Sequence, residues 1–290
     1  MTTSTLFLVL LAAVLHASWN LISKRAALAG ASFVFAYRLF AVALYAPWVI
    51  YELWQESTQW SWLALGFIFL SSVIHLAYSL CLQRGYQVAD LSVVYPVARG
   101  TGPFLATLGA FLWLAEEPST YGVVGMCCVV GGVLLIATQG NWRIFSQPQA
   151  WVGVRWGLLI GLCIACYTVV DAYSVKNLKI APVILDWLGA VSITLMMAPT
   201  AWVRRANLRE KMHGKWGLAL LVGALSPMGY ILVLYALQQG AQVSLVAPLR
   251  EMSLMFATLA SYFILKEKVS LARWAGCAVI IAGVILLSAP

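Results

Sequence analysis

Apolar residues fill most of this chain in long stretches, and polar or turn-forming residues cluster between them. Dividing the sequence at those clusters leaves ten apolar segments, at residues 4–23, 31–51, 61–83, 91–114, 119–138, 154–175, 181–203, 216–238, 243–265 and 270–288. A helix of about 20 apolar residues spans the bilayer core and satisfies its backbone hydrogen bonds internally, as lipid requires. We therefore predict an all-α polytopic membrane protein with ten transmembrane helices.

The composition supports a membrane protein. Of the 290 residues, 62% are hydrophobic and 10% are charged, whereas soluble domains carry about 25% charged residues. So few charged side chains cannot cover a soluble globule of this size. The net charge of +8 arises mainly from basic residues at the ends of apolar segments. Basic residues in those places set membrane topology, so we expect a lipid bilayer as partner and no nucleic acid.

The first segment, 4–23, follows no basic residue and is long for the core of a signal peptide. We predict that it stays in the protein as the first transmembrane helix. All six cysteines lie inside apolar segments, and Cys163 and Cys166 form a C-x-x-C without a second pair. They indicate small buried residues rather than redox or zinc chemistry, so we predict neither a metal nor another cofactor.

Two parts of the chain share one pattern. Residues 91–96 (LSVVYP) align with residues 243–248 (VSLVAP) at a shift of 152. At a shift of 151, Leu114, Glu116, Ser119, Gly125 and Gly132 align with Leu265, Glu267, Ser270, Gly276 and Gly283. Segments 1–5 thus correspond to segments 6–10, and because five is odd, the second set crosses the membrane in the opposite direction. We predict two inverted five-helix repeats, at 1–140 and 153–290, joined by a loop at 141–152.

This arrangement, together with the motifs at 92–97 and 244–249 and at 114–125 and 265–276, resembles the EamA-type transporters of the drug/metabolite transporter superfamily. The resemblance is greatest to the YddG-like aromatic amino-acid exporters. It implies a multi-pass exporter of small metabolites in the bacterial inner membrane. Inverted repeats of this kind place a binding site near the midplane of the membrane and open it alternately to the two sides.

Polar side chains inside the apolar segments concentrate on a few helical faces. An ionisable group at the membrane centre costs about 3 kcal/mol by insertion scales, so it persists where it faces a cavity or a partner. We predict that segments 1, 3, 4, 6, 8 and 9 line a central cavity. The predicted substrate-binding residues are His16, Trp19, Asn20, His75, Tyr78, Tyr95, Arg99, Tyr167, Tyr230, Ser244 and Glu251.

Arg99 and Glu251 occupy equivalent positions of the two repeats and carry opposite charges. They could form an ion pair, which could be purely structural, or Arg99 and Arg250 could face the carboxylate of a substrate. Arg250 and Asp171 are predicted gating residues.

Pro96 and Pro248 lie near the starts of segments 4 and 9. A proline inside a helix removes a backbone hydrogen bond, so we expect both helices to kink there and to face each other across the cavity. The alternative is that both are first-turn prolines, which helices tolerate.

A few charged or aromatic residues lie nearer to segment ends. We interpret Arg38 and Asp186 as structural or gate residues and Trp187 as a candidate for the cavity lining. Glu116 and Glu267 fall at the short connections after segments 4 and 9. There a carboxylate most simply caps the N-terminus of the following helix.

The sequence indicates a secondary active transporter that exports small metabolites by alternating access. Tyrosines and one tryptophan could form an aromatic wall, so we expect amino acids with aromatic or apolar side chains as substrates and a monomer as the working unit. A nucleobase, a cationic amine or a drug would fit the same wall. An integral-membrane enzyme or a channel is disfavoured because neither catalytic motifs nor a filter is visible. Proton coupling stays open.

The distribution of basic residues predicts the orientation. The connections after segments 1, 3, 5, 7 and 9 hold 13 basic residues, whereas the opposite face, with both termini, holds only Lys176 and Lys179. Basic residues in short loops stay in the cytoplasm, so both termini should face the periplasm, although exporters resembling this chain are often drawn with cytoplasmic termini.

A C-terminal alkaline phosphatase fusion should therefore be active, because that enzyme folds only in the periplasm, and a C-terminal green fluorescent protein fusion should be dark. Both activities are measured in whole cells, with expression checked by immunoblot. A fluorescent fusion with an inactive phosphatase would reverse the orientation.

Overall fold

A computed structural model of the protein describes residues 2–55, 60–147, 150–263, 266 and 268–288, and this part of the chain contains helices and no strand. The helices are α1 (Thr3–Lys24), α2 (Ala31–Trp54), α3 (Trp62–Val88), α4 (Leu91–Trp113), α5 (Thr120–Thr138), α6 (Ala150–Lys176), α7 (Pro182–Val203), α8 (Arg205–Met212), α9 (Trp216–Gln238), α10 (Val243–Leu249), α11 (Met252–Phe263) and α12 (Leu271–Ser288). Each of the ten predicted segments coincides with a helix, except that α10 and α11 share the ninth.

Eight stretches of the described chain are long and apolar enough to cross a membrane, and α10 with the start of α11 forms one of them. Helices α4 and α12 are not among the eight. Helix α4 carries Arg99 and two prolines, and the apolar part of α12 is short. The protein is thus an all-helical membrane protein, and a count of ten crossings stays a prediction.

The two halves meet along α5 and α12, which correspond in the repeat. A Cβ atom on Gly125 would lie 2.8 Å from the carbonyl oxygen of Gly283, and one on Gly132 would lie 2.7 Å from the carbonyl oxygen of Gly276. The two backbones therefore touch directly, as small residues allow between membrane helices. Because the early glycine of each helix meets the late glycine of the other, α5 and α12 run antiparallel, as an inverted repeat requires.

The other helix contacts also pair elements of one repeat with elements of the other repeat. Helix α1 packs on α9, and its counterpart α6 packs on α3, the counterpart of α9. Helix α2 packs on α7, which is its own counterpart, and α4 packs on α10. A pseudo-two-fold axis therefore passes through the interior, and residues at equivalent positions can meet there.

The two segment-starting prolines behave differently. Pro96 and Pro248 are each the sixth residue of their helices, so neither is a first-turn proline. Helix α4 continues as one helix through Pro96 to Trp113, whereas α10 ends at Leu249 and α11 begins at Met252. A helix break therefore follows Pro248 in the second repeat, and a kink of α4 at Pro96 stays a prediction.

The connection between α7 and α9 contains a short helix, α8. Leu208 and Met212 pack with Ala26, Ala29 and Phe33 of the connection between α1 and α2 and the start of α2. These two connections therefore lie on one face of the protein, as the alternating path predicts.

Glu116 does not cap the following helix, so that prediction is wrong. Ser119 caps α5 instead, since its Oγ accepts a hydrogen bond from the backbone N–H of Gly122. The Glu116 carboxylate accepts hydrogen bonds from the N–H groups of Val243 (2.7 Å) and Ser244 (2.9 Å) and from the Ser244 hydroxyl (2.7 Å). Lys176 Nζ lies 3.2 Å from the same carboxylate. We call these four residues, Glu116, Lys176, Val243 and Ser244, the Glu116 lock.

The lock joins the loop after α4 to the end of α6 and the start of α10, so these three points share the face opposite α8. The equivalent start of α4 is capped locally. Asp90 accepts a hydrogen bond from the Ser92 N–H at 2.8 Å, which lowers the pKa of the exposed Asp90 carboxyl. Glu267, the counterpart of Glu116, lies outside the described residues.

Replacing Gly132 by alanine should destabilise the contact between the halves. The new Cβ would meet the Gly276 carbonyl, and overpacking of this kind costs about 1–3 kcal/mol. The neighbouring Gly131 has open space around it, so Gly131→Ala is the matched control. Thermal unfolding in detergent should show a lower midpoint for Gly132→Ala alone. Equal midpoints for both variants would contradict the close contact.

Replacing Glu116 by alanine should also destabilise the protein, because the carboxylate is buried and its loss removes the anionic partner of Lys176 and the acceptor of the Val243 and Ser244 N–H groups. Losing one partner of a buried ion pair costs on the order of 3 kcal/mol. Glu117 is exposed, so Glu117→Ala should be neutral. Unfolding in detergent measures both, and a neutral Glu116→Ala would remove the lock from the account of stability.

Candidate functional site

Three helices meet at the carboxylate of Asp171, which is only 1% exposed. The Tyr230 hydroxyl of α9 donates a hydrogen bond to Asp171 Oδ2 at 2.5 Å, and His75 Nε2 of α3 lies 3.0 Å from the same oxygen. The second oxygen, Oδ1, has no hydrogen-bond partner among the described residues. A buried carboxylate with one unpartnered oxygen is costly and identifies this point as a candidate site.

Asp171 lines a cavity of about 20 Å³, which has room for one water molecule. Arg38 from α2 and Asp186 from α7 line the same cavity, with Ser71 and His75 from α3. The sequence analysis interpreted Arg38 and Asp186 as structural or gate residues and not as part of the lining. Each is a charged residue inside an apolar segment, and that feature could have indicated a place in the lining.

We call Arg38, Asp171 and Asp186 the acidic cluster. It brings together two carboxyl groups and one guanidinium, so acidic groups outnumber cations there. Asp186 interacts electrostatically with Arg38, His75 and Asp171.

A second group of charges lies between the repeats. Arg99 of α4 and Glu251, in the break between α10 and α11, form an ion pair at 3.3 Å. The Arg99 guanidinium also donates to the Ser253 hydroxyl at 3.1 Å. Equivalent positions of the two repeats thus touch each other, which places this pair on the pseudo-two-fold axis.

Arg250 adds a second cation beside Glu251 and interacts with it electrostatically. We call Arg99, Arg250 and Glu251 the basic cluster. Two guanidiniums face one carboxylate, so this cluster carries an excess of one positive charge. Of the two arrangements expected for Arg99, the structure shows the ion pair with Glu251. The charge of Arg250 is then left for another partner.

Aromatic side chains connect the two clusters. The Arg250 guanidinium lies 5.5 Å from the centre of the Tyr230 ring, whose hydroxyl contacts Asp171. Tyr167 stacks on His75 at 4.1 Å between ring centres, and Tyr78 contacts Tyr167 edge-on at 5.7 Å. Contacts between rings, and between rings and cations, stabilise such a wall.

The remaining predicted residues divide into two groups. His16 interacts electrostatically with Arg99 and Arg250, and Tyr95 lies under the Arg99 guanidinium at 5.7 Å, so both belong beside the basic cluster. Trp19 contacts the His16 ring at 4.9 Å, and its buried N–H has no partner among the described residues. Asn20 uses its amide within α1, donating to the His16 carbonyl at 2.8 Å.

Two candidates serve to hold helices together instead of lining the cavity. Ser244 gives its hydroxyl to the Glu116 lock. Trp187 donates its indole N–H to the Val42 carbonyl at 2.8 Å and so joins α7 to α2. The structure therefore brings His75, Tyr167, Asp171 and Tyr230 together and ties Ser244 and Trp187 to contacts between helices.

Comparison with known proteins adds the family. The sequence profile of the EamA-like transporter family matches the chain twice, at residues 3–138 and 151–289. No curated protein sequence matches the chain. Among solved structures, 28 chains match. One of them, a crystal structure, has 15% sequence identity and a TM-score of 0.76, and the match covers 99% of this chain and 97% of the other. At that identity the likeness concerns the fold alone.

Proposed function

Because the chain belongs to the EamA-like transporter family, we propose that it is a secondary transporter that exports amino acids with aromatic or apolar side chains. Members of this family are transporters, which argues against the enzymatic alternative. We place the protein in the bacterial inner membrane, with all ten segments crossing it and both termini in the periplasm. The repeats 1–140 and 153–290 would move against each other during transport.

The opposite charge excess of the two clusters is the observation that supports amino acids. An amino acid carries an ammonium and a carboxylate on the same carbon atom. The basic cluster can accept the carboxylate at Arg250, and the acidic cluster can accept the ammonium at Asp171. Tyr230 lies between them, since its ring contacts Arg250 and its hydroxyl contacts Asp171.

The aromatic wall supports the choice of side chain. The Tyr167 ring contacts the rings of both His75 and Tyr78, so aromatic surface makes up this wall. An aromatic or apolar side chain gains contact area on such a wall, while a polar side chain would lose its water without new partners.

Transport requires the clusters to separate. The cavity of about 20 Å³ beside Asp171 has room for one water molecule and is far too small for an amino acid. We assign the structure to a state without an open path to Asp171, in which the Glu116 lock fastens the face that we assign to the periplasm. Rocking of the inverted repeats would open one face at a time and admit the substrate.

Other small molecules would use only part of this site. A cationic amine has no carboxylate for Arg250, and a nucleobase carries neither charge. These alternatives therefore predict competition by molecules with one charge or none, whereas the amino-acid proposal requires both.

Purified protein in proteoliposomes should transport labelled L-phenylalanine. Excess unlabelled L-tryptophan should compete, while phenethylamine and 3-phenylpropionate, which each lack one charge, should compete at least tenfold less well. Competition by phenethylamine alone would identify a cationic amine as the substrate.

Neutralising either axial charge, by Arg99→Ala or Glu251→Ala, should lower transport more than it lowers the amount of protein in the membrane. The exposed Arg155, replaced by glutamine, is the control for loss of a cation. Transport at the parental rate by both axial variants would show that the pair is purely structural.

A further inference from the structure

Two cysteines from different repeats face each other between α3 and α6. Cys81 lies in α3 and Cys163 lies in α6, and the thiols of the two residues interact with each other. Both cysteines are free and partly exposed. We propose that this pair is a site of reversible oxidation, at which a hydroperoxide converts the two thiols to a disulfide that joins the repeats.

Contacts on either side of the pair fix which parts of α3 and α6 face each other. The Tyr78 ring contacts the Tyr167 ring at 5.7 Å between ring centres. Seven residues further along α3, a Cβ atom on Gly85 would lie 3.3 Å from Cδ1 of Ile160. The helices therefore run antiparallel, and each of the two cysteines lies between these contacts on its own helix. This register places the cysteines opposite each other at a close approach of the two helices.

The C-x-x-C spacing in the sequence does not identify this pair, because Cys81 belongs to a different helix. A disulfide needs two Cβ atoms about 3.5–4.5 Å apart. Residues three apart on one helix have Cβ atoms about 5–6 Å apart, so Cys166 is poorly placed to bond to Cys163. Cys81 approaches Cys163 from the facing helix, where no helix geometry holds the two sulfur atoms apart.

The pair is accessible from the side of the protein that faces lipid. Leu80 and Leu162, the neighbours of the two cysteines in the chain, are both exposed. Exposed leucines within apolar membrane-spanning helices contact the hydrocarbon of the bilayer. Because alkyl hydroperoxides dissolve in hydrocarbon, this class of oxidant can reach the thiols through the membrane. Accessible thiols are the ones that oxidation selects.

The oxidation takes place in two steps. One thiol accepts an oxygen atom from the hydroperoxide and becomes a sulfenic acid, while the O–O bond breaks and an alcohol leaves. The second thiol then attacks the oxidised sulfur, the S–S bond forms and a water molecule leaves. The two sulfur atoms together lose two electrons, which the hydroperoxide receives. A dithiol reverses the reaction by thiol–disulfide exchange.

A disulfide at this place would stop transport. Helix α3 belongs to the first repeat and carries His75, whereas α6 belongs to the second repeat and carries Asp171, 3.0 Å from His75. An S–S bond of about 2.05 Å would fix these two helices to each other, so the repeats could not move apart there. This consequence rests on the proposed function, whereas formation of the disulfide does not.

Mass spectrometry of the oxidised protein tests the site. The full-length protein in detergent is treated with tert-butyl hydroperoxide, its remaining thiols are alkylated, and it is digested without a reductant. We expect a cross-linked pair of peptides that contain Cys81 and Cys163. The exposed Cys166, replaced by serine, is the matched control and should keep this cross-link. Neither Cys81→Ser nor Cys163→Ser should form it. A disulfide between Cys163 and Cys166, or no cross-link in the parent, would overturn the proposal.

Transport of L-phenylalanine into proteoliposomes tests the consequence. Oxidation should lower the rate about tenfold in the parent and in Cys166→Ser, and dithiothreitol should restore it. Cys81→Ser should transport at the same rate before and after treatment. A disulfide that leaves transport unchanged, or an equal loss of transport in Cys81→Ser, would overturn the arrest. If the untreated parent forms the disulfide on oxidation but never transports phenylalanine, the proposed function fails and the oxidation site stands.

Discussion

Charges buried among membrane-spanning helices have to be compensated by other charges within the protein, because the surrounding lipid cannot solvate them. This constraint governs the interior. Arg99 and Glu251 come from different repeats and neutralise each other at 3.3 Å, so the ion pair also holds the halves together. Arg250 and Asp171 lie on either side of Tyr230, and they are the groups to which the proposed function assigns the two charges of a substrate.

The fold contains two kinds of contact between its helices. Along α5 and α12 the glycine backbones touch, so any larger side chain at these glycines would collide with the facing backbone. Around Asp171 the contacts are side-chain hydrogen bonds and ring contacts. In the proposed transport cycle the glycine contact would stay in place, while the contacts around Asp171 would be exchanged for contacts with a substrate.

The Glu116 lock makes the two repeats differ in local structure. The first N–H groups of α10 donate to the Glu116 carboxylate of the other repeat, whereas the start of α4, its counterpart, is capped by the neighbouring Asp90. The break at Pro248 follows in the second repeat only, while α4 remains one helix through Pro96. Two halves with one sequence plan are thus held in different local arrangements.

The sequence by itself determined the helical class, the helix positions and the two-fold plan, because each follows from local apolar length and from spacing within the chain. It also selected His75, Tyr167, Asp171 and Tyr230, since polar residues on one face of an apolar helix must turn inward. Only the tertiary structure decided which of these residues meet. Glu116 was assigned to the nearest helix terminus, but folding brings the start of α10 within 2.7 Å of it. Arg38 and Asp186 joined the acidic cluster for the same reason: packing of α2 and α7 sets the partners of a charge, and that packing is long-range information which no local pattern contains.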